Sequence, residues 1–156
     1  MKSYQKLIVL LLLGICFFSL ESFIKYFLIL NKVPKQGFYF FNLLQISFSP
    51  NQNIAFSLPL PQIISITLVI IILILLGFLW WVNLVGKKIW ELTAISFIIL
   101  GAISNLLDRL LFGFVIDYIN IFIWPVFNLA DVMIVGGIFI YILSEFKKPK
   151  VKTLTI

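Results

Sequence analysis

Four long runs of apolar residues divide this chain, and each is long enough to cross a lipid bilayer as a helix. They cover about residues 7–30, 62–85, 89–112 and 126–146. A bilayer core of roughly 30 Å requires about 20 apolar residues in a helix, because every backbone N–H and C=O must find its partner within the segment. The pattern therefore predicts an all-α membrane protein with four transmembrane helices.

The two segments on the other side of the membrane from the chain ends do not have the pattern of polar loops. The first contains the run GFYFFNLLQISF from Gly37 to Phe48, which is rich in aromatic and β-branched residues. In the second, apolar residues alternate with Asp117 between Val115 and Ile121. These patterns predict a small β-rich segment at the outer membrane surface. For most of the phenylalanines, an interfacial aromatic belt with no special task is the alternative.

The composition agrees with a protein whose solvent is lipid. The chain has 156 residues, of which 62% are hydrophobic and 12% charged, and its mean hydropathy is +1.15. Such values are typical of membrane proteins and exclude an ordinary soluble domain. No Gly/Ser-rich or Pro-rich linker interrupts the chain, so residues 1–156 are expected to form one integral membrane domain.

The net charge of +6 comes from lysines that flank the apolar runs, which indicates topology signals and no nucleic-acid partner. The first run follows two lysines, as a secretory signal would, but it continues through Glu21 and Lys25 without a small-x-small cleavage site. It is therefore predicted to be a retained span. The positive-inside rule then predicts cytoplasmic chain ends. The lysines on that side are Lys2, Lys6, Lys87, Lys88, Lys147, Lys148, Lys150 and Lys152.

The six acidic residues separate into an inner and an outer group. Glu91 and Glu145 lie at the cytoplasmic ends of spans, where water and lysines can satisfy them, and they are assigned no function. The other four, which come from distant parts of the sequence, collect at the outer face. A charged side chain within a span costs roughly 2.5–3.5 kcal/mol, so such residues call for a functional hypothesis. This outer group consists of Glu21, Asp108, Asp117 and Asp131.

Some of these outer residues have partners within their own helix. Glu21 and Lys25 are four residues apart on one helical face, in the favourable acid-then-base order, and a structural ion pair explains them. Asn105, Asp108 and Arg109 also share a face, so Asp108 can anchor a helix end or orient Arg109. For this second group, a structural and a functional role are equally open.

Asp117 and Asp131, in contrast, have no cation beside them in the sequence. Asn128 precedes Asp131 by three residues and therefore projects beside it, where its amide can bond a carboxylate or a bound peptide. This arrangement is more typical of a site than of a salt bridge. On the residues alone, a structural or proton-relay role is favoured over catalysis.

The inventory of side chains narrows the chemistry. The chain has no histidine and only one cysteine, Cys16, which excludes Ser-His-Asp and Cys-His arrangements and the usual zinc ligands, so no metal and no cofactor is expected. A Ser-Lys pair with Lys25 and Ser22, Ser57 or Ser104 is disfavoured, because Glu21 would keep the lysine charged. Two carboxylates remain the main option, since a close pair can share one proton and act as base and acid.

Five short blocks in chain order resemble those of the bacterial lipoprotein signal peptidases, the signal peptidase II family. The family's patterns are Asp-x-x-x-Lys, Asn-x-Gly-x-Ala-Phe, Gly-Asn-x-x-Asp-Arg, Val-x-Asp-Phe and Phe-Asn-x-Ala-Asp. Their counterparts here are Glu21-Ser-Phe-Ile-Lys25, Asn51-Gln-Asn53-Ile-Ala55-Phe56, Ser104-Asn105-Leu-Leu-Asp108-Arg109, Val115-Ile-Asp117-Tyr118 and Phe127-Asn128-Leu-Ala130-Asp131. Asn53 departs from the family pattern at the position of its glycine, and the stretch between the two aspartates is short, with thirteen residues.

The resemblance implies an aspartic endopeptidase of the bacterial inner membrane, with its active site toward the outer face. Asp117 and Asp131 would be the catalytic dyad. The implied substrate is a prolipoprotein whose first mature cysteine carries diacylglycerol, cut just before that cysteine; the other partners would be membrane lipids, and we expect a monomer. The implied substrate-binding residues are Asn51, Asn105, Arg109 and Asn128, and the implied supporting residues are Glu21, Lys25, Asp108 and Ala130.

Two other functions compete with this interpretation. A small transporter or proton-conducting protein would carry polar groups through the whole membrane depth, whereas the middle and inner parts of these spans are almost purely apolar. A structural or assembly subunit would use its outer polar groups only to hold helices together. That second alternative predicts that replacing either aspartate changes stability and nothing else.

Overall fold

The computed structural model describes residues 3–30, 37–40, 43–52, 61–121 and 123–147. Within these residues, four helices are long and apolar enough to cross a membrane. They are α1 (Ser3–Leu30), α2 (Gln62–Val85), α3 (Ile89–Phe112) and α4 (Leu129–Phe146). The predicted four-span architecture is confirmed, and the chain is a multi-pass membrane protein.

Two of the helix starts differ from the sequence prediction. Helix α1 begins at Ser3, four residues before the predicted start, and α4 begins at Leu129, three residues later than predicted. The late start of α4 has a local cause, because Asn128 is its N-cap. The Asn128 side chain accepts the Asp131 N–H, and the Asp131 side chain accepts the Asn128 N–H. This reciprocal capping box satisfies two backbone donors and fixes where the helix begins.

The predicted β-rich segment is also confirmed. The strands are β1 (Phe38–Phe40), β2 (Leu44–Asn51) and β3 (Val115–Asn120), and they form one antiparallel sheet in the order β1-β2-β3. In the register of β2 and β3, Ser49 faces Asp117 and Asn51 faces Val115. Strand β2 therefore brings Asn51 next to the aspartate of β3.

Helix α3 is the centre of the helical layer and packs against α1, α2 and α4. Its approach to α4 is so close that there is no room for side chains at two glycines. A Cβ atom at Gly101 would lie 2.5 Å from the Ala130 carbonyl oxygen, and one at Gly137 would lie 2.7 Å from the Ala94 carbonyl oxygen. Small residues commonly allow such backbone contact between membrane helices. Asn105, one turn beyond Gly101, consequently lies beside the first turn of α4.

Most large apolar side chains on the helices are exposed in the isolated chain, as expected where lipid covers them. The main buried apolar cluster lies under the sheet and contains Leu28, Ile116 and Tyr118. One expectation about the inner face was wrong. Glu91 is buried, with 7% of its surface exposed, instead of being solvated. It stands in the first turn of α3, where the helix dipole stabilises a carboxylate.

Candidate active site

Two carboxylates from different elements approach each other at the end of the helices that lies beside the sheet. Asp117 lies in β3 and is only 3% exposed. Asp131 lies in the first turn of α4 and is partly exposed. The two are close enough for the Asp131 charge to affect the ionisation of Asp117. We refer to Asp117 and Asp131 as the aspartate pair.

Asn128 joins the two members of the aspartate pair. Its side-chain Nδ2 donates to Asp117 Oδ1 at 2.9 Å. Its Oδ1 accepts the Asp131 N–H at 2.9 Å, and its own backbone N–H donates to Asp131 Oδ2 at 3.2 Å. The capping residue of α4 therefore holds both carboxylates at once. The expectation that Asn128 projects beside Asp131 is confirmed.

Two further asparagines complete the network. Asn51 Nδ2 donates to Asp117 Oδ2 at 2.8 Å. Asn105 Nδ2 donates to Asp131 Oδ1 at 2.8 Å, and Asn105 Oδ1 accepts from Asn128 Nδ2 at 3.0 Å. All of these partners are neutral amides, which fix the direction of a carboxylate without neutralising its charge.

The environment of Asp117 favours its protonated form. Burial raises the pKa of Asp117 from 3.8 to about 7, and the nearby Asp131 charge acts in the same direction. The hydrogen bond from Asn51 and the charge of Lys25 oppose the increase. Asp117 therefore exchanges a proton close to neutral pH, as one member of a general acid–base pair must.

Arg109 brings a positive charge to the same region. It lies in the last turn of α3, and its Nη1 donates to the Asn105 carbonyl oxygen at 3.2 Å. Its guanidinium group interacts electrostatically with both members of the aspartate pair and with Asp108. The resulting field favours a bound group that carries or develops negative charge.

A second polar group, which we call the lysine cluster, consists of Glu21, Lys25 and Asp108. Lys25 Nζ lies 2.9 Å from Glu21 Oε1 and 2.7 Å from Asp108 Oδ2, and all three side chains are buried. The predicted ion pair between Glu21 and Lys25 is present, and it extends to α3. Lys25 Nζ also donates to Ser104 Oγ at 3.1 Å and to Asn105 Oδ1 at 3.3 Å.

The position of Lys25 between two carboxylates argues against a Ser-Lys mechanism, since both of them stabilise the charged ammonium and so disfavour the neutral base. Ser104 is in contact with the lysine, whereas Ser22 donates to the Phe18 carbonyl oxygen of its own helix. Ser57 lies outside the described residues, as do Asn53, Ala55 and Phe56 of the second sequence block.

The lysine cluster also holds the strand that carries Asp117. Asp108 Oδ2 accepts the Ile116 N–H at 3.0 Å, so Asp108 anchors the start of β3. The Tyr118 hydroxyl donates to Glu21 Oε2 and accepts the Leu129 N–H at 3.3 Å. Burial and the neighbouring Glu21 charge raise the pKa of Tyr118, which keeps the hydroxyl protonated.

Sequence reasoning missed Tyr118, which entered only as the last letter of a motif. A signal was present, because Tyr118 stands where the family pattern has phenylalanine and Glu21 stands where it has aspartate. Ala130, predicted as a supporting residue, is fully buried, and its carbonyl oxygen lies against Gly101. The other predicted site residues, from Glu21 to Asp131, lie in one of the two groups or beside them.

Known proteins with similar sequences include lipoprotein signal peptidases. The lipoprotein signal peptidase of Brucella ovis is 38% identical over 104 residues, which are 62% of this chain and 63% of that protein. The lipoprotein signal peptidase of Thermodesulfovibrio yellowstonii is 38% identical over 84 residues, which are 51% of this chain and 56% of that protein. The chain thus spans about half the length of the curated relatives it matches.

Solved structures show the same fold. One structure of a bacterial membrane enzyme superimposes with a TM-score of 0.75 at 23% sequence identity, covering 92% of this chain and 93% of that chain. A second gives a TM-score of 0.73 at 22% identity, covering 90% and 94%. A sequence model of signal peptidase (SPase) II matches residues 13–147, from within α1 to the residue after α4. On this match, the chain belongs to the signal peptidase II family.

Proposed function

We propose that this protein is an intramembrane aspartic endopeptidase. It removes the signal peptide from diacylglyceryl-modified prolipoproteins by cutting before the lipidated cysteine. The observation that carries the proposal is the aspartate pair itself: two carboxylates from different elements, oriented by three asparagine amides. Burial leaves one of them with a pKa of about 7. Membership of the family supplies the substrate class.

In the proposed reaction, the two aspartates begin with one proton between them. Ionised Asp131, which is partly exposed, accepts a proton from a water molecule whose oxygen attacks the scissile carbonyl carbon. Protonated Asp117 donates its proton to the carbonyl oxygen as the tetrahedral intermediate forms. When the intermediate collapses, the C–N bond breaks and Asp131 passes its proton to the leaving amine. The hydroxyl proton of the intermediate returns to Asp117, and the products are a carboxylic acid and an amine.

The residues around the pair suit the binding of a peptide backbone. Asn51, Asn105 and Asn128 carry amide groups that can exchange a carboxylate contact for a peptide carbonyl or N–H. Arg109 supplies positive charge beside the developing oxyanion. We assign these four residues to substrate binding. Glu21, Lys25, Asp108 and Ala130 are assigned to the support of the site.

The depth of the site suits a substrate that remains in lipid. Asp117 and Asp131 lie beside the sheet, at the ends of α3 and α4. An apolar signal helix and two acyl chains can stay in the bilayer while the scissile bond reaches that level. The described lysines Lys6, Lys87, Lys88 and Lys147 fall at the opposite helix ends, in agreement with cytoplasmic termini. We place the protein in the inner membrane as one peptidase domain and a monomer.

The proposal is tested with Asp117→Asn and Asp131→Asn, assayed as purified proteins on a prolipoprotein carrying a diacylglyceryl cysteine. Because each variant loses an obligatory proton donor or acceptor, we expect kcat to fall by at least about 10³-fold while folding is retained. Glu145→Gln is the matched control, since it removes a carboxylate from the opposite end of α4. Processing by either aspartate variant at the rate of the control would overturn the proposal.

A further inference from the structure

Tyr118 occupies a buried junction between three elements. It follows Asp117 directly in β3, and only 2% of its surface is exposed. Its hydroxyl donates to Glu21 Oε2 in α1 and accepts the N–H of Leu129, the first residue of α4. This hydroxyl therefore contacts both the helix that carries Lys25 and the helical turn that carries Asp131.

The Glu21 carboxylate has two polar partners among the described residues, and Tyr118 is one of them. The carboxylate is 0% exposed. Its Oε1 faces the Lys25 ammonium group at 2.9 Å and has no hydrogen-bond partner among the described residues beyond this ion pair. Its Oε2 receives the Tyr118 hydroxyl. A buried carboxylate oxygen without a partner is unfavourable, so loss of the hydroxyl would favour a rearrangement of Glu21.

Movement of Glu21 reaches the aspartate pair through a continuous chain of contacts. Lys25 links Glu21 to Asn105, because its Nζ also donates to Asn105 Oδ1 at 3.3 Å. Asn105 in turn donates to Asp131 Oδ1 at 2.8 Å. Contacts thus lead from Tyr118 to Asp131 through Glu21, Lys25 and Asn105, and Tyr118 is joined to Asp117 by the backbone of β3.

We propose that Tyr118 and Glu21 form a coupled positioning pair that sets the placement of Asp131 relative to Asp117. The inference rests on the proposed function of the aspartate pair. Neither side chain touches the substrate. Their task is to hold the two carboxylates in the geometry that the reaction requires, and each side chain is matched to the other, so that changing one alone disturbs this geometry.

The two residues are also the points at which this chain departs from the family's first and fourth blocks. Glutamate is one methylene longer than aspartate, and tyrosine is one hydroxyl larger than phenylalanine. In the structure the longer acid meets the added hydroxyl. Shortening both side chains together removes the donor and withdraws the acceptor from it, so the mismatch that either single substitution creates is avoided; the Leu129 N–H still loses the hydroxyl as its acceptor.

The test is a double-mutant cycle made of Tyr118→Phe, Glu21→Asp and the combined variant. We expect kcat to fall about 10-fold in each single variant with KM within about twofold of the parent value, because misplacement of the catalytic groups affects the chemical step more than binding. The combined variant should recover kcat to within about threefold, which is non-additive behaviour. Rates are measured on monodisperse protein well below each unfolding midpoint.

Tyr26→Phe is the matched control, since it removes a hydroxyl from the exposed surface of α1 and should leave kcat and KM unchanged. The inference is overturned if folded Tyr118→Phe has the kcat of this control, or if the combined variant is as slow as the product of the two single effects. A parent protein that does not cleave the prolipoprotein at all would overturn the proposed function instead. The two failures are therefore distinguishable.

Discussion

The aspartate pair and the lysine cluster are neighbouring polar groups at the same end of the helices, yet they treat charge in opposite ways. In the lysine cluster, one ammonium group stands between two carboxylates at 2.7 and 2.9 Å. In the aspartate pair, neutral asparagine side chains and one backbone N–H donate hydrogen bonds to the carboxylates, and the Arg109 charge acts on both of them. Both arrangements fix geometry, but the first also places an opposite charge in direct contact with each carboxylate. In the second, burial outweighs the Lys25 charge and raises the pKa of Asp117.

Under the proposed function, this difference separates supporting residues from catalytic ones. The lysine cluster holds opposite charges in contact inside a buried volume, so removing one of them should affect folding. Asp117 of the aspartate pair can gain or lose a proton near neutral pH, because its pKa is about 7. Replacing Asp117 should therefore affect activity more than folding. Asn105 touches both groups and is the route by which one influences the other.

The largest effect on stability is expected from Lys25→Met. This change leaves Glu21 and Asp108 buried without their counter-ion, and breaking a buried ion pair in this way costs about 3–5 kcal/mol. We expect unfolding titrations in detergent to show a loss of that size. Lys6→Met is the matched control, because it removes an exposed lysine from the inner end of the same helix.

A triple variant separates charge from packing in the lysine cluster. Glu21→Gln, Lys25→Met and Asp108→Asn together remove all three charges and should recover much of the lost stability. If the triple variant is as unstable as Lys25→Met alone, the cluster stabilises the fold by packing, and the contrast with the aspartate pair is wrong.

A smaller effect is expected from Gly101→Ala, which acts on the contact between α3 and α4. The added Cβ would lie 2.5 Å from the Ala130 carbonyl oxygen, so α3 and α4 must separate. Overpacking of this kind costs about 1–3 kcal/mol. We expect that loss together with reduced kcat, since Asn105 would retreat from Asp131.

Gly136→Ala in α4 is the control for this change, because a Cβ there meets nothing within 4 Å. It should leave both kcat and the unfolding midpoint within error of the parent protein. Equal behaviour of the two alanine variants would contradict the close approach of α3 to α4.

Much of this architecture could be predicted from the sequence because its signals are local. Span length and lysine placement depend on short stretches, and the alternation in β3 and the acid–base spacing of Glu21 and Lys25 are equally short-range. The Asn128-x-x-Asp131 spacing also contained the capping box, which places the start of α4 at Leu129. Taken as helical spacing alone, it predicts only an amide beside the carboxylate.

Contacts between distant segments could not be predicted in the same way. The ion pair of Lys25 with Asp108 joins residues on two helices, and no periodicity reports which faces meet. The same holds for Tyr118 with Glu21, which lie 97 residues apart. Burial of Glu91 was missed because the depth of a helix end depends on how its neighbours pack.

The pH dependence of stability is the effect most specific to Asp117. The pKa of Asp117 is 3.8 in an ordinary environment and about 7 in the folded protein. Between these values the folded state binds a proton that the unfolded state does not. The free energy of unfolding should therefore decrease as pH rises from about 4 to about 7, by up to about 1.4 kcal/mol per pH unit from this group, and level off above pH 7.

Asp117→Asn lacks this contribution, so its stability relative to the parent should increase over the same interval. Glu145→Gln serves again as the control, and unfolding titrations at half-unit pH steps provide the measurement. Parallel stability curves for Asp117→Asn and the parent would mean that the pKa of Asp117 is not raised in the folded protein, and the distinction between the two groups would be lost.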